Sequence, residues 1–280
     1  MRFIEKRVIP YNQANNRFSF SGNLVFSRAF HIGSGWGNEF TDSTVVRNSK
    51  GKPIIPGSSF KGVFRSSIER LLMSISEELW ACQLYEEKEF PDNKLCLGNQ
   101  IHLKKHKEKT SNLNFPNEEI PFSELENKLC DSCKLFGAGS YWASKIKFCD
   151  LPLIPKNNES KNIIEIRHGV GIHRRTGTAA DGVKYDQEIV TDGSSFKFEA
   201  FADNLSAVDF QLLSIGLHLL LNGEMLIGAS TTRGLGTCQL TNFSIGFVDF
   251  LDKEQTKNYL LNKSYNLVES PETEIQKYLN

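Results

Sequence analysis

The sequence predicts an α+β fold whose core runs β-α-β-β-α-β, the ferredoxin-like arrangement. Three observations predict it. Phe18, Phe20, Leu24, Phe26 and Phe30 alternate with polar residues, and 196–202 and 237–247 read the same way, as strands with one buried face. Phe60, Val63, Phe64, Ile68, Leu71 and Leu72 recur near helical spacing, and Phe210–Leu221 predicts a second, amphipathic helix. Glycine-rich turns at 31–37 and 228–236 separate the elements.

Taken in order, the first strand runs into His31-Ile-Gly-Ser-Gly-Trp-Gly37, a strand-like piece spans 43–47, and a second turn covers 48–52. Ser58 or Ser59 is placed to cap a helix that reaches about Ile75. Residues 82–129 are polar, rich in Lys and Asn and poorly periodic, so they read as an insertion tied down by something other than a core. Regular signals return over 134–151, and Ile163–Ile166 predicts a strand. The segment 167–186 holds Gly, Arg, Thr and His with little that can form core, and it reads as a protruding loop or hairpin. The tail after Asp252 is charged and weakly helical. A four-stranded sheet of this kind is also the platform of RRM-like RNA binders.

Composition narrows the classes. Lys and Arg number 33 and Asp and Glu 33, so the net charge is zero, which counts against a binder that coats nucleic acid with its whole surface but leaves room for a local basic groove. No stretch is long and apolar enough to span a bilayer, and residues 1–20 carry no apolar signal core, so a cytoplasmic protein without a membrane partner is expected. In a reducing compartment the six cysteines point to metal binding or buried thiols rather than disulfides.

Several segments carry chemistry. In Ile55-Pro-Gly-Ser-Ser-Phe-Lys-Gly62, proline and glycine open a helix whose first N–H groups, two hydroxyls and Lys61 gather at its positive end, with Arg65 one turn on. Such an end suits phosphate, although a plain capped helix start would look the same. Gly228-Ala-Ser-Thr-Thr-Arg-Gly-Leu-Gly236 allows close backbone approach to a ligand but lacks the Gly-Lys-Ser/Thr of a nucleotide-binding loop. Cys130 and Cys133 have zinc-knuckle spacing. Cys82 and Cys96 bracket the start of the insertion, so the four cysteines form a candidate metal set, with His102 and His106 as alternatives for the fourth ligand. Cys149 and Cys238 lie in apolar, strand-like surroundings and read as buried thiols, and 104–109 reads as a solvated basic run.

Together these segments resemble the RAMP superfamily of type III CRISPR effector complexes, in particular its backbone subunits. The resemblance is carried by HIGSG at 31–35, PIIPGSSFKGVFRS at 53–66, the glycine-rich loop at 228–236, and CDSCKLFG at 130–137, which is similar to an element of the zinc-containing members. RRTGTAADGVKYDQE at 174–188 resembles the family's thumb hairpin. The resemblance implies one domain over 1–280, a zinc-tied insertion at 82–134 and a thumb at 167–190. It implies binding to guide RNA, target RNA and other RAMP subunits, and cleavage of the paired target by an aspartate after the first strand. Asp42, in Thr41-Asp-Ser-Thr-Val-Val46, stands at that position.

A carboxylate there can hold a divalent cation such as Mg2+ or assist proton transfer, although an Asp that merely caps a turn would read alike. Expected RNA contacts are Ser58, Ser59, Lys61, Arg65, His173, Arg174, Arg175, Arg233 and Gly234. His168 and His173 among arginines allow a general acid–base centre, but an RNA-contacting surface is the reading adopted. An architectural subunit that never cuts is the alternative, and a stand-alone processor of guide precursors is a third.

Overall fold

A computed structural model of the chain describes residues 1–5, 13–39, 41–75, 78–82, 96–99, 126–138, 142–155 and 163–279. His102, His106, the basic run at 104–109 and most of the expected insertion lie outside these residues. In chain order the elements are β1 (Asn16–Phe26), β2 (Ile54–Ile55), α1 (Gly57–Ile75), α2 (Asp131–Phe136), β3 (Ile146–Phe148), β4 (Leu151–Pro152), β5 (Ile164–Ile172) and β6 (Ala179–Val190). They continue with β7 (Ser195–Asp203), α3 (Ala207–Leu221), β8 (Cys238–Asp249), α4 (Lys253–Asn262), β9 (Asn266–Leu267) and α5 (Pro271–Lys277).

The fold is α+β with antiparallel sheets. The main sheet has the order β3-β7-β1-β8-β9, and β5 and β6 form a separate two-stranded hairpin. The alternation in β1 sends Phe18, Phe20, Leu24 and Phe26 inward, each essentially fully buried. The two long helices cover that face: Phe60 of α1 packs 5.4 Å from Phe198 of β7, and Phe210 of α3 lies 5.6 Å from Phe18. Gly216 lets the two helices meet, because a Cβ there would sit 2.4 Å from the Phe64 ring. Lys145 and Asp209 form a buried ion pair at 2.5 Å, which joins the start of β3 to the first turn of α3. Asp209 also completes a capping box with Ser206.

Four sequence expectations need correction. The helix begins at Gly57, so Ser58 and Ser59 lie inside its first turn, and Asp150 takes the Gly57 N–H at 2.8 Å instead. Residues 43–47 form isolated bridges to the hairpin, to Gly33 and to Pro53 rather than a strand. The helix at 207–221 is buried nearly all round, since Leu212, Leu213, Ser214, Ile215, Gly216 and Leu217 are all inside. Packed between α1, α5 and the sheet, the helix keeps only a narrow partly exposed edge, at Ala207, Gln211 and His218, to require polar residues. Cys149 is half-buried, whereas Cys238 is fully buried as expected. Among the described residues, no helix is long and apolar enough to cross a membrane.

Candidate nucleic-acid and metal sites

The cysteine cluster lies at the described ends of the insertion. The sulfurs of Cys82, Cys96, Cys130 and Cys133 all fall within 4.8 Å of one another, and all four residues are buried. Cys82 and Cys133 are 3.6 Å apart. A tetrahedral Zn–S4 centre with bonds of about 2.3 Å places its sulfurs about 3.8 Å apart, so the set is compatible with a structural zinc.

The surroundings fit thiolate ligands. The N–H of Gly98 and that of Cys130 both donate to the Cys96 sulfur, at 3.3 and 3.2 Å, and the Cys133 N–H donates to Cys130 at 3.3 Å. Hydrogen bonds within the set, those of Cys130 first, lower the Cys96 thiol and raise those of Cys82 and Cys133, so the four sulfurs share their protons as one cluster. Arg65 reaches in from α1 and donates to the Cys133 sulfur at 3.2 Å and to the Gly137 carbonyl. Burial opposes the Arg65 charge, but Glu69 and Cys133 outweigh it and keep the guanidinium protonated. Trp80, which follows α1, and Asp131, which opens α2, exchange hydrogen bonds, and Leu97, Leu129, Ala138 and Trp142 close a small apolar cluster around the sulfurs.

The first helix presents a different surface. Ser58 and Ser59 are exposed at its N-terminus, and Lys61 is half-buried beside them. Burial, then the nearby Arg65 charge, lowers the Lys61 pKa. Arg65 itself points inward to Glu69 and the cysteines, so its guanidinium lies on the metal side of the helix.

The Asp42 loop is built against the base of the hairpin. Asp42 and Ser43 donate their N–H groups to the Asp186 carbonyl, at 2.9 and 3.3 Å, and Asp186 returns its N–H to the Asp42 carboxylate at 2.8 Å. Glu188 accepts from the Val45 N–H and from Arg47, both at 2.9 Å. His31 donates through Nδ1 to the Glu188 carbonyl, which leaves Nε2 to accept from the Ser43 hydroxyl at 3.0 Å. The carboxylate of Asp42 is thus aimed by one hydrogen bond while the residue stays exposed. Trp36, on the same loop, is 81% exposed.

The glycine-rich loop packs onto this assembly. Ala229 donates to the His31 carbonyl at 2.8 Å, and a Cβ at Gly228 would lie 2.5 Å from that oxygen, so the close approach requires glycine. Gly234 adopts φ 85°, and Arg233 before it reaches the hairpin, donating to the Tyr185 hydroxyl at 2.6 Å with its guanidinium 5.7 Å from the ring centre. Tyr185 lies flat over Gly169, where a Cβ would come within 2.1 Å of the ring. His173, Arg174 and Arg175 are exposed at the hairpin tip.

The structure therefore gathers Asp42, Arg233 and the hairpin into one region and the four cysteines into another, beside α1. Sequence reading missed Asp186, Glu188 and Tyr185. Each acts through β5–β6 register, for example His168 opposite Asp186 and Gly169 opposite Tyr185. The glycines at 169, 171, 177 and 182 blur where the turn falls, so that register could not be counted from the sequence.

No curated protein matches the chain. The RAMP superfamily model matches residues 27–239, a span that contains the Asp42 loop, both glycine-rich segments, the cysteine cluster and the hairpin. The chain belongs to the RAMP superfamily.

Proposed function

We propose that this chain is the guide-RNA-binding backbone subunit of a type III CRISPR interference complex and that it cuts the target RNA paired to that guide. The observation that carries the reading is the meeting of an exposed carboxylate, Asp42, with the hairpin and the Arg233 loop in one fastened assembly. Family membership points to RNA and to neighbouring CRISPR subunits as partners. The strand order supports a ferredoxin-like core: taken alone, β3-β7-β1-β8 with α1 and α3 on one face follows that topology. On this reading 1–280 is one domain, 82–134 its zinc-tied insertion and 167–190 the thumb.

Each part then has a physical task. Ser58, Ser59 and Lys61 offer donors at a helix N-terminus to backbone phosphate. Arg233, Arg174 and Arg175 pair with phosphate or stack on bases, His173 and Gly234 line the same surfaces, and Trp36 offers a π-face to an unstacked base. Zinc, held by Cys82, Cys96, Cys130 and Cys133, supplies a structural crosslink that orders the insertion. Arg65 serves that centre by offsetting thiolate charge.

In the cut, the 2′-hydroxyl next to the scissile phosphate loses its proton and attacks phosphorus in line. Asp42 has one carboxylate oxygen held by Asp186 and the other without a partner among the described residues, which suits it to take that proton. A magnesium ion held there would draw its remaining ligands from RNA phosphate and water.

The test is cleavage of labelled target by the reconstituted complex, wild-type and Asp42→Ala, with and without chelator. Asp42→Ala should remove regularly spaced products while leaving guide binding intact. Products persisting in the variant refute the assignment; no products from either complex favour the architectural alternative. The chelator arm decides whether a divalent cation takes part.

A further inference from the structure

We propose that His168, oriented by Asp186, is the general acid that protonates the leaving 5′-oxygen at the Asp42 site. The inference rests on the reading of Asp42 as the cutting residue and adds a second reacting group to it. Residues 168 and 186 face each other across the β5–β6 ladder. The backbone of Asp186 turns its N–H and its carbonyl to the Asp42 loop, away from β5, so this is a non-hydrogen-bonded pair. Such pairs bring their side chains closest.

His168 Nδ1 accordingly lies 2.6 Å from Asp186 Oδ1. The carboxylate can only accept, so Nδ1 carries the proton and Nε2 is the outward nitrogen. Among the described residues nothing pairs with Nε2, and the His168 side chain is 63% exposed. One residue therefore touches both candidates. Asp186 gives its backbone N–H to Asp42 and its carboxylate to His168.

The groups around the imidazole fix its orientation. Its hydrogen bond with His168, first among the causes, holds Asp186 below the ordinary carboxylate range, so an anion sits against Nδ1. Lys184 is the other charge at this point, 3.9 Å from the same carboxylate and 67% exposed. A carboxylate behind one ring nitrogen fixes the ring and turns Nε2 outward, the arrangement by which carboxylates orient catalytic histidines.

The step balances without any co-reactant. The 2′-hydroxyl gives its proton to the open oxygen of Asp42, O2′ bonds to phosphorus, and the P–O5′ bond breaks. The imidazolium Nε2–H passes its proton to O5′. The products are a 2′,3′-cyclic phosphate and a 5′-hydroxyl, and solvent later returns the proton from Asp42 to His168. Asp186 is a positioning residue, since it acts only through His168 and the Asp42 loop.

A leaving-group substitution tests the assignment. Full-length wild-type, His168→Ala, Asp186→Ala and Asp42→Ala chains are assembled with guide RNA and their partner subunits. Each is given target RNA with either an ordinary linkage or a 5′-bridging sulfur at the cut position. A thiolate leaves without being protonated, so it does not need the acid. His168→Ala should slow the ordinary substrate by about 100-fold or more yet cut the sulfur substrate near the wild-type rate. Asp186→Ala should show the same selective loss to a smaller degree, and guide binding by each variant verifies folding.

Equal cutting of the ordinary substrate by His168→Ala and wild-type overturns the proposal, as does equal loss on both substrates, which is what a structural role gives. In either case an Asp42→Ala complex inactive on both substrates leaves the reading of Asp42 standing. Wild-type complex that cuts neither substrate overturns both.

Discussion

Gly98→Ala tests the metal centre while leaving every cysteine in place. A Cβ at Gly98 would lie 2.2 Å from the Cys133 sulfur and 3.4 Å from that of Cys96. Carbon needs about 3.5 Å or more from such a neighbour, so the sulfur or the 98 backbone must give by more than about 1 Å. Metal–ligand distances tolerate about 0.2 Å. The Gly98 N–H that donates to Cys96 would move with it. Losing such outer support costs zinc sites about 10–100-fold in affinity, which is about 1.4–2.8 kcal/mol. The assay is competition for zinc between the purified protein and a chromophoric chelator, run on wild-type and variant. One zinc per wild-type chain and a 10-fold or greater loss in the variant are expected. Equal affinity in the two proteins would refute the steric reasoning, and a folded wild-type chain without zinc would refute the metal reading.

Other changes separate the parts. Asp209→Ala removes the carboxylate paired with the buried Lys145 and the α3 cap, so stability should fall by about 3–5 kcal/mol, read as a lower urea midpoint at unchanged slope. Arg233→Ala should weaken guide binding for all sequences and reduce the salt slope by about 1; an effect confined to one guide sequence would contradict a backbone contact. Burial pushes the Cys238 thiol up to about 12 from its ordinary 9.0. Between those values the folded protein keeps a proton that the unfolded chain loses, so stability should drop as pH rises through that window, by at most about 1.4 kcal/mol per unit. Cys238→Ala should flatten that drop in denaturation curves taken at several pH values, and an unchanged slope would sink the assignment.

What the sequence could reveal followed period and spacing. The alternation of Phe18, Phe20, Leu24 and Phe26 announced β1, and Cys130-x-x-Cys133 with Cys82 and Cys96 announced the cluster, because both signals are local or chemically distinctive. The helix start was harder. Proline and glycine at 56–57 set the turn, yet the cap comes from Asp150, 93 residues away, and no local pattern encodes it. The amphipathic expectation for 210–221 failed because its burial depends on α5, which the weak tail signal did not place there. Arg65 shows the same limit from another direction. Its spacing from Lys61 put it on a phosphate-facing surface, but the i,i+4 pair with Glu69 and the sulfur of Cys133 draw it inward.

That inward turn ties the two regions together. Glu69 accepts from Arg65 at 2.7 Å and from the Ser132 hydroxyl at 2.5 Å, both at the same oxygen, so the knuckle helix α2 and the first helix α1 share one carboxylate. Arg65 closes the loop by bonding the Gly137 carbonyl and the Cys133 sulfur with its other two nitrogens. Four thiolates around one Zn2+ leave a net charge of about −2, and one buried guanidinium offsets part of it in a low-dielectric setting where that matters most. Lysine could not replace it, because a single ammonium cannot reach a carboxylate, a carbonyl and a sulfur in three directions. The same helix carries Ser58, Ser59 and Lys61 in the turns just before Arg65. Disturbing the cysteines should therefore loosen the seat of α1, and with it the donors exposed at its N-terminus.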